Sequence, residues 1–225
     1  MTLEQSEVLS SEKTSFKELE FQGVYGNYKI TYADHIEVKR YRIAVLICGI
    51  TFCAGISHWI FFGPALAWLW LIPIAIGLGL ALKWIHIYLR PLHKALQLLW
   101  ALGCICSGLL VLKLGSENLL TSIVSDPILT LAIGPLFAAL TGLGFKEFFC
   151  FQRLEAIGLT LLIPISLLGH LTGLLRGEIV MALLSCSAFL LLVLAIRKFG
   201  MDTAADIGDK SVFDYLDNQV TAKSL

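Results

Sequence analysis

Six apolar runs dominate this chain, at residues 43–62, 65–89, 95–114, 127–144, 155–175 and 179–196. A hydrocarbon core of ~30 Å is crossed by about 20 helical residues, so each run matches one crossing. Lipid offers the backbone no water. Each run must therefore satisfy its own N–H and C=O groups, which a helix does and an open strand does not. None alternates with the period of two that a membrane barrel requires. The fold class that follows is all-α, a six-helix transmembrane bundle. Composition agrees: 57% of the residues are hydrophobic and 15% charged, with mean hydropathy +0.79, against ~25% charged for a soluble domain.

The charges orient the bundle. Lys39, Arg40 and Arg42 precede the first run, Arg90 and Lys94 divide the second from the third, Lys146 and Arg153 divide the fourth from the fifth, and Arg197 and Lys198 follow the sixth. The other side carries only Lys113 and Arg176, beside Glu117, Asp126 and Glu178. Cytoplasmic loops are the ones rich in Lys and Arg. Both termini are therefore expected in the cytoplasm, and an even number of spans agrees. The formal net charge is zero and no long basic run exists, so nothing favours nucleic acid.

The ends divide into an N-terminal region, 1–34, and a tail, 199–225, around a membrane domain, 35–198. The first 40 residues have no apolar segment of the signal-peptide kind, so the first span is expected to direct insertion. Residues 1–18 are polar and expected to be disordered. Aromatic and polar residues alternate after Gly26-Asn27, which suggests a short hairpin over 24–33. Asp34 and Glu37 have the spacing of a capping box, with a helix starting near His35. In the tail, Val212, Phe213 and Leu216 would share one face of a short amphipathic helix.

Ionisable groups at membrane depth are the first candidates for function. His58 and His170 lie near the outer ends of the first and fifth spans, where they could share a haem or a metal. A hydrogen bond to backbone is the plainer use of each. His86 and His93 lie with Lys83, Arg90 and Lys94 in a basic belt suited to headgroups, or to an acidic lipid or anion. The six cysteines form no C-x-x-C pair and read as small hydrophobes. Gly169, Gly173 and Gly177 form a G-x-x-x-G-x-x-x-G row, and Ala138 and Gly142 a shorter one. Such rows let helices approach closely, within the chain or in a homodimer. "LIPI" occurs twice, with Pro73 and Pro164 expected mid-helix, which would suit inverted three-helix repeats of a transporter. No catalytic motif appears: no H-E-x-x-H, G-x-S-x-G, P-loop or G-x-G-x-x-G is present.

The stretch GFKEFFCFQRLEAIG, residues 144–158, is dense in both charge and phenylalanine. It admits two shapes. In one, the fourth span runs to about Phe149 and the fifth starts near Gln152, with Glu147 and Arg153 paired across the turn. In the other, Gly142 and Gly144 end the fourth span and one long helix runs from about Lys146 to Leu175. The lack of turn-forming residues between 145 and 156 favours the second. The phenylalanines would then anchor it at the headgroups. Lys146, Glu147, Arg153 and Glu155 need partners, for which Arg90 and Lys94 are the neighbours to hand. These six form the candidate charge cluster.

GFKEFFCFQRLEA, the following LIPISLLGHL and the earlier FQGVYGNYKIT carry a resemblance. Over residues 20–198 the chain resembles uncharacterised integral membrane proteins, found chiefly in cyanobacteria, that are grouped under a domain of unknown function. The resemblance implies a bacterial multi-pass protein of the inner membrane or the thylakoid, and no catalytic residues. Three functions remain open: a non-enzymatic assembly or scaffold partner of membrane complexes, a small-solute or ion transporter, and a haem- or metal-binding protein. The lack of motifs points away from an enzyme and calls for no cofactor.

Overall fold

The computed structural model describes residues 19–213, 215 and 216. The strands are β1 (Leu19–Gly23) and β2 (Gly26–Ile30). The helices are α1 (Tyr32–Phe62), α2 (Leu71–Trp84), α3 (Arg90–Leu114), α4 (Leu119–Ser125), α5 (Thr130–Phe151), α6 (Leu154–Leu171), α7 (Gly177–Lys198) and α8 (Thr203–Ile207). Six helical segments are long and apolar enough to cross a membrane: α1, α2 with the 3-10 turn before it, α3, α5 with the 3-10 turn before it, α6 and α7. Two compact units result, residues 1–40 with 201–225 and residues 41–200.

In the smaller unit, β1 and β2 pair antiparallel from Leu19↔Ile30 to Gly23↔Gly26. The turn is Val24–Tyr25, so the hairpin lies several residues earlier than the 24–33 of the sequence reading. The capping box also moves by one helical turn. Thr31 N donates to Asp34 Oδ2 (2.7 Å), and Asp34 N donates to Thr31 Oγ1 (3.3 Å). The same three-residue spacing is used, with Thr31 rather than Asp34 as N-cap, and α1 starts at Tyr32. Tail residues share this unit with the hairpin. Ile30, Val38 and Ile207 bury one another, Lys210 Nζ lies 2.8 Å from Asp34 Oδ2, and Val24 N donates to Asp209 Oδ2 at 2.7 Å. The Ser211 hydroxyl and that Val24 N–H hold the Asp209 carboxyl below the usual carboxylate range. The amphipathic stretch expected around Val212, Phe213 and Leu216 falls partly outside the described residues, as do residues 1–18.

In the larger unit, the core comprises Leu78, Leu140, Leu143, Leu159, Ile163, Leu191 and Leu194, all fully buried. Glycines set how closely the helices approach. A Cβ on Gly103 of α3 would stand 2.4 Å from the Leu136 backbone nitrogen of α5, and one on Gly49 of α1 would stand 2.9 Å from Leu192 Cα of α7. Gly142 meets Leu96 of α3, and Gly144 meets Leu159 of α6 at 2.9 Å. These close contacts need residues without a side chain.

That accounts for one correction. Gly142 and Gly144 do not stop the fourth span, because they are packing positions inside α5. The helix runs on to Phe151, and Gln152 then turns left-handed (φ 49°, ψ 37°) before α6 starts at Leu154. The two-helix shape is the observed one, not the single helix from Lys146 to Leu175. The stop fell on a residue whose type gives no turn signal. A non-glycine residue in this conformation costs about 1–2 kcal/mol, part of which glycine would lose again in chain entropy. Gln152→Gly is therefore expected to stabilise the bundle by about 0.5–1 kcal/mol, and Gln152→Val to destabilise it. Both can be read as thermal midpoints in detergent.

A second correction concerns the glycine row. Gly169 lies in α6, but Gly173 (φ 69°) is the left-handed residue just beyond its end, and Gly177 opens α7. The Gly173 N–H donates to the His170 carbonyl, and Leu175 N to the Gly169 carbonyl, closing the helix end. The row is thus a stop and a restart, not one face of a helix, and it offers no continuous dimer surface. Gly169 itself packs on Leu175 of the same turn.

Candidate functional site

The charge cluster forms where the end of α5, the start of α6 and the end of α7 meet α1. Glu147 lies at its centre with no exposed surface. Its Oε2 accepts from Lys198 Nζ at 2.6 Å, and its Oε1 accepts from Tyr41 Oη at 2.6 Å and from Lys146 Nζ at 3.2 Å. Lys198 is fully buried and Lys146 is 6% exposed. Both ammoniums also lie over the rings of Tyr41 (5.0 and 5.5 Å) and Phe151 (4.9 and 5.2 Å). Charged donors, a phenol and two ring faces thus replace the water that a buried carboxylate and two ammoniums lack.

Helix geometry explains the convergence. In α5, Phe145 and Phe149 are four apart, exposed and stacked at 6.2 Å, which turns the next two positions, Lys146 and Glu147, inward. Lys198 ends α7 and reaches the same level.

A second, more open pair flanks the first. Glu155 accepts from Arg197 at 3.1 Å and lies 3.6 Å from Arg153. Arg197 is 57% exposed, so this pair adds little stability. Arg153 pairs with Glu155 rather than with Glu147 across the turn. Arg90 opens α3 half-buried, and Lys94 is exposed one turn further on. The ion pairs of Glu147 and Glu155 run instead to Lys146 and Lys198 and to Arg153 and Arg197. Sequence reasoning missed Lys198 and Tyr41 as members of the cluster. The available signal was depth: both border spans that end on the side where Glu147 lies.

The histidines do different work. His170 Nε2 donates to the Ile123 carbonyl at 2.9 Å, and His93 Nε2 donates to the Leu82 carbonyl at 2.7 Å. Both acceptors lie in the last turn of a helix, α4 and α2, where carbonyls have no partner within the helix. In a setting poor in water, an imidazole from a neighbouring helix supplies the missing bond. His58 packs against the Phe62 ring at 5.4 Å. Among the described residues no group of three or more His, Cys, Asp or Glu could hold a metal.

The prolines differ in position. Pro73 is the third residue of α2, in the first turn, where the missing N–H costs nothing, whereas Pro164 lies inside α6. The matched mid-helix breaks that suggested two repeats are therefore not both present. Pro164 and Pro135 instead border a cavity of about 400 Å³ between α3, α5 and α6, whose walls include Leu99, Leu131, Ile163 and Leu167.

Residues 80–215 match the model of a family described as uncharacterized integral membrane protein (DUF2301). No curated protein and no solved structure matches the chain.

Proposed function

The chain belongs to the DUF2301 family of integral membrane proteins, and we propose that it is a non-enzymatic assembly or scaffold partner of larger membrane complexes. In this reading both termini face the cytoplasm, and the membrane is a bacterial inner membrane or thylakoid. The carrying observation is the closure of the charge cluster. Glu147 and Lys198, both fully buried, engage each other and not an open site. The cavity between α3, α5 and α6 and the one beside Leu71, Ile72 and Val111 have mostly aliphatic walls, which suits packing better than passage of a polar solute.

The surface for a partner would be α3. Leu98, Leu102, Ile105, Leu109 and Leu112 recur at spacings of four and three and are 45–84% exposed. They form one continuous apolar stripe on the span with the smallest buried share of the six. A partner helix would pack along it. The test is purification of the full chain in mild detergent, alone and with Ile105→Trp. A membrane protein retained in stoichiometric amount by the wild type and lost from Ile105→Trp supports the reading. A wild-type chain that elutes alone refutes it.

A further inference from the structure

We infer that the partner of α3 is a transmembrane helix carrying a carboxylate, and that Lys94 and Gln97 are the two donors that hold it. The inference rests on the reading of α3 as the partner face and adds the chemistry of what docks there.

Three observations carry it. First, both donors are exposed and unpaired where the apolar stripe begins. Lys94 is exposed, and among the described residues no hydrogen bond or ion pair engages it. Gln97 is exposed as well. Its Nε2 lies 3.2 Å from His93 Nε2, but that ring nitrogen gives its proton to the Leu82 carbonyl and cannot also accept. Gln97 lies roughly 10 Å along α3 from Arg90, and an amide left unpaired in a span is costly in lipid. Second, the two are three residues apart, side by side on one helix face, with Leu98 next to both. A carboxylate has two oxygens and accepts from an ammonium and an amide at once. Third, the chain supplies no acid of its own to this face. Between Glu37 and Glu117 there is no Asp or Glu, whereas Lys83, Arg90, Lys94 and Lys113 all fall there. A second copy of the chain is the wrong occupant, because a two-fold pairing along α3 sets Lys94 beside its own copy with no acid on either helix. A lipid headgroup would meet Lys94 at the surface but not Gln97 almost a turn deeper. The pair therefore fits a carboxylate fixed on a helix.

The test is energy transfer between the labelled full chain and a labelled single-span peptide of leucine and alanine in phosphatidylcholine vesicles. The peptide carries one Glu a turn inside its end, or one Gln at the same position. The wild type is expected to bind the Glu peptide about tenfold more tightly, the effect of one charged hydrogen bond. Lys94→Met should erase the difference, and Lys94→Glu should reverse it in favour of a peptide with Lys at that position. Equal affinity of the wild type for the two peptides, or none for either, would overturn the proposal, as would a preference that persists in Lys94→Met. If the two peptides bind equally and Ile105→Trp weakens both, the reading of α3 as the partner face stands and the carboxylate falls. A preference that vanishes when phosphatidylglycerol replaces half of the phosphatidylcholine would assign Lys94 to headgroups and overturn the proposal as well.

Discussion

Glu147→Gln is expected to cost the bundle about 3–5 kcal/mol, the loss that follows when one partner of a buried ion pair is removed. The side chain remains the same size, so packing is preserved and the effect is electrostatic. Two ammoniums, those of Lys146 and Lys198, lose the carboxylate they share, and the Tyr41 hydroxyl loses a charged acceptor. Lys198→Met should cost less. It leaves Glu147 with Lys146 and Tyr41, a neutral pair plus a hydrogen bond, and replaces the lysine stem with an apolar chain of similar length. The ranking follows from the sharing: the common anion matters more than either cation. Thermal or denaturant midpoints in one detergent give the order directly.

Gly103→Ala is expected to be the costliest single methyl in the protein, at about 2–3 kcal/mol. Its Cβ would meet the Leu136 backbone nitrogen at 2.4 Å and the Leu136 Cα at 2.8 Å. Backbone atoms cannot rotate away as a side-chain tip can, so α3 and α5 would have to separate. Gly108 on the same helix provides the control, because a Cβ there meets nothing within 4 Å. Gly108→Ala should be neutral or stabilising by up to about 1 kcal/mol, the difference in helix propensity. Equal losses at the two sites would mean that propensity and not close approach decides the outcome.

Much of the architecture was legible because bilayer thickness sets helix length. Hydropathy alone located six crossings, and the structure has six helical segments of that kind. Local punctuation was harder. The three-residue spacing of a capping box occurs twice in succession, at Thr31 and Asp34 and at Asp34 and Glu37, and spacing cannot choose between them. Gln152 takes a conformation for which its residue type gives no cue, while Gly142 and Gly144 look like stops and are contacts. Glycine means either a turn or a close approach, and only the neighbouring helix tells which. Gly169, Gly173 and Gly177 show both meanings within one row.

The candidate cluster was half visible. Lys146, Glu147, Arg153 and Glu155 stood out because charge is scarce in such a chain, and their need for partners was evident. The partners were not. Arg90 and Lys94 are near in the order of spans, whereas Lys198 and Tyr41 are near in depth. Sequence order says which helix ends share a side of the membrane, but not which helices touch. The same limit applies to His93 and His170, whose acceptors are carbonyls with no sequence signal at all.

The central claim is that Glu147 and Lys198 lock the helix ends together as a directly coupled pair. A double-mutant cycle over Glu147→Gln and Lys198→Met tests it most directly, with unfolding free energies measured in the same detergent. The account predicts a coupling of at least about 2 kcal/mol, as close buried charge pairs show. Additive losses, with a coupling near zero, would contradict it.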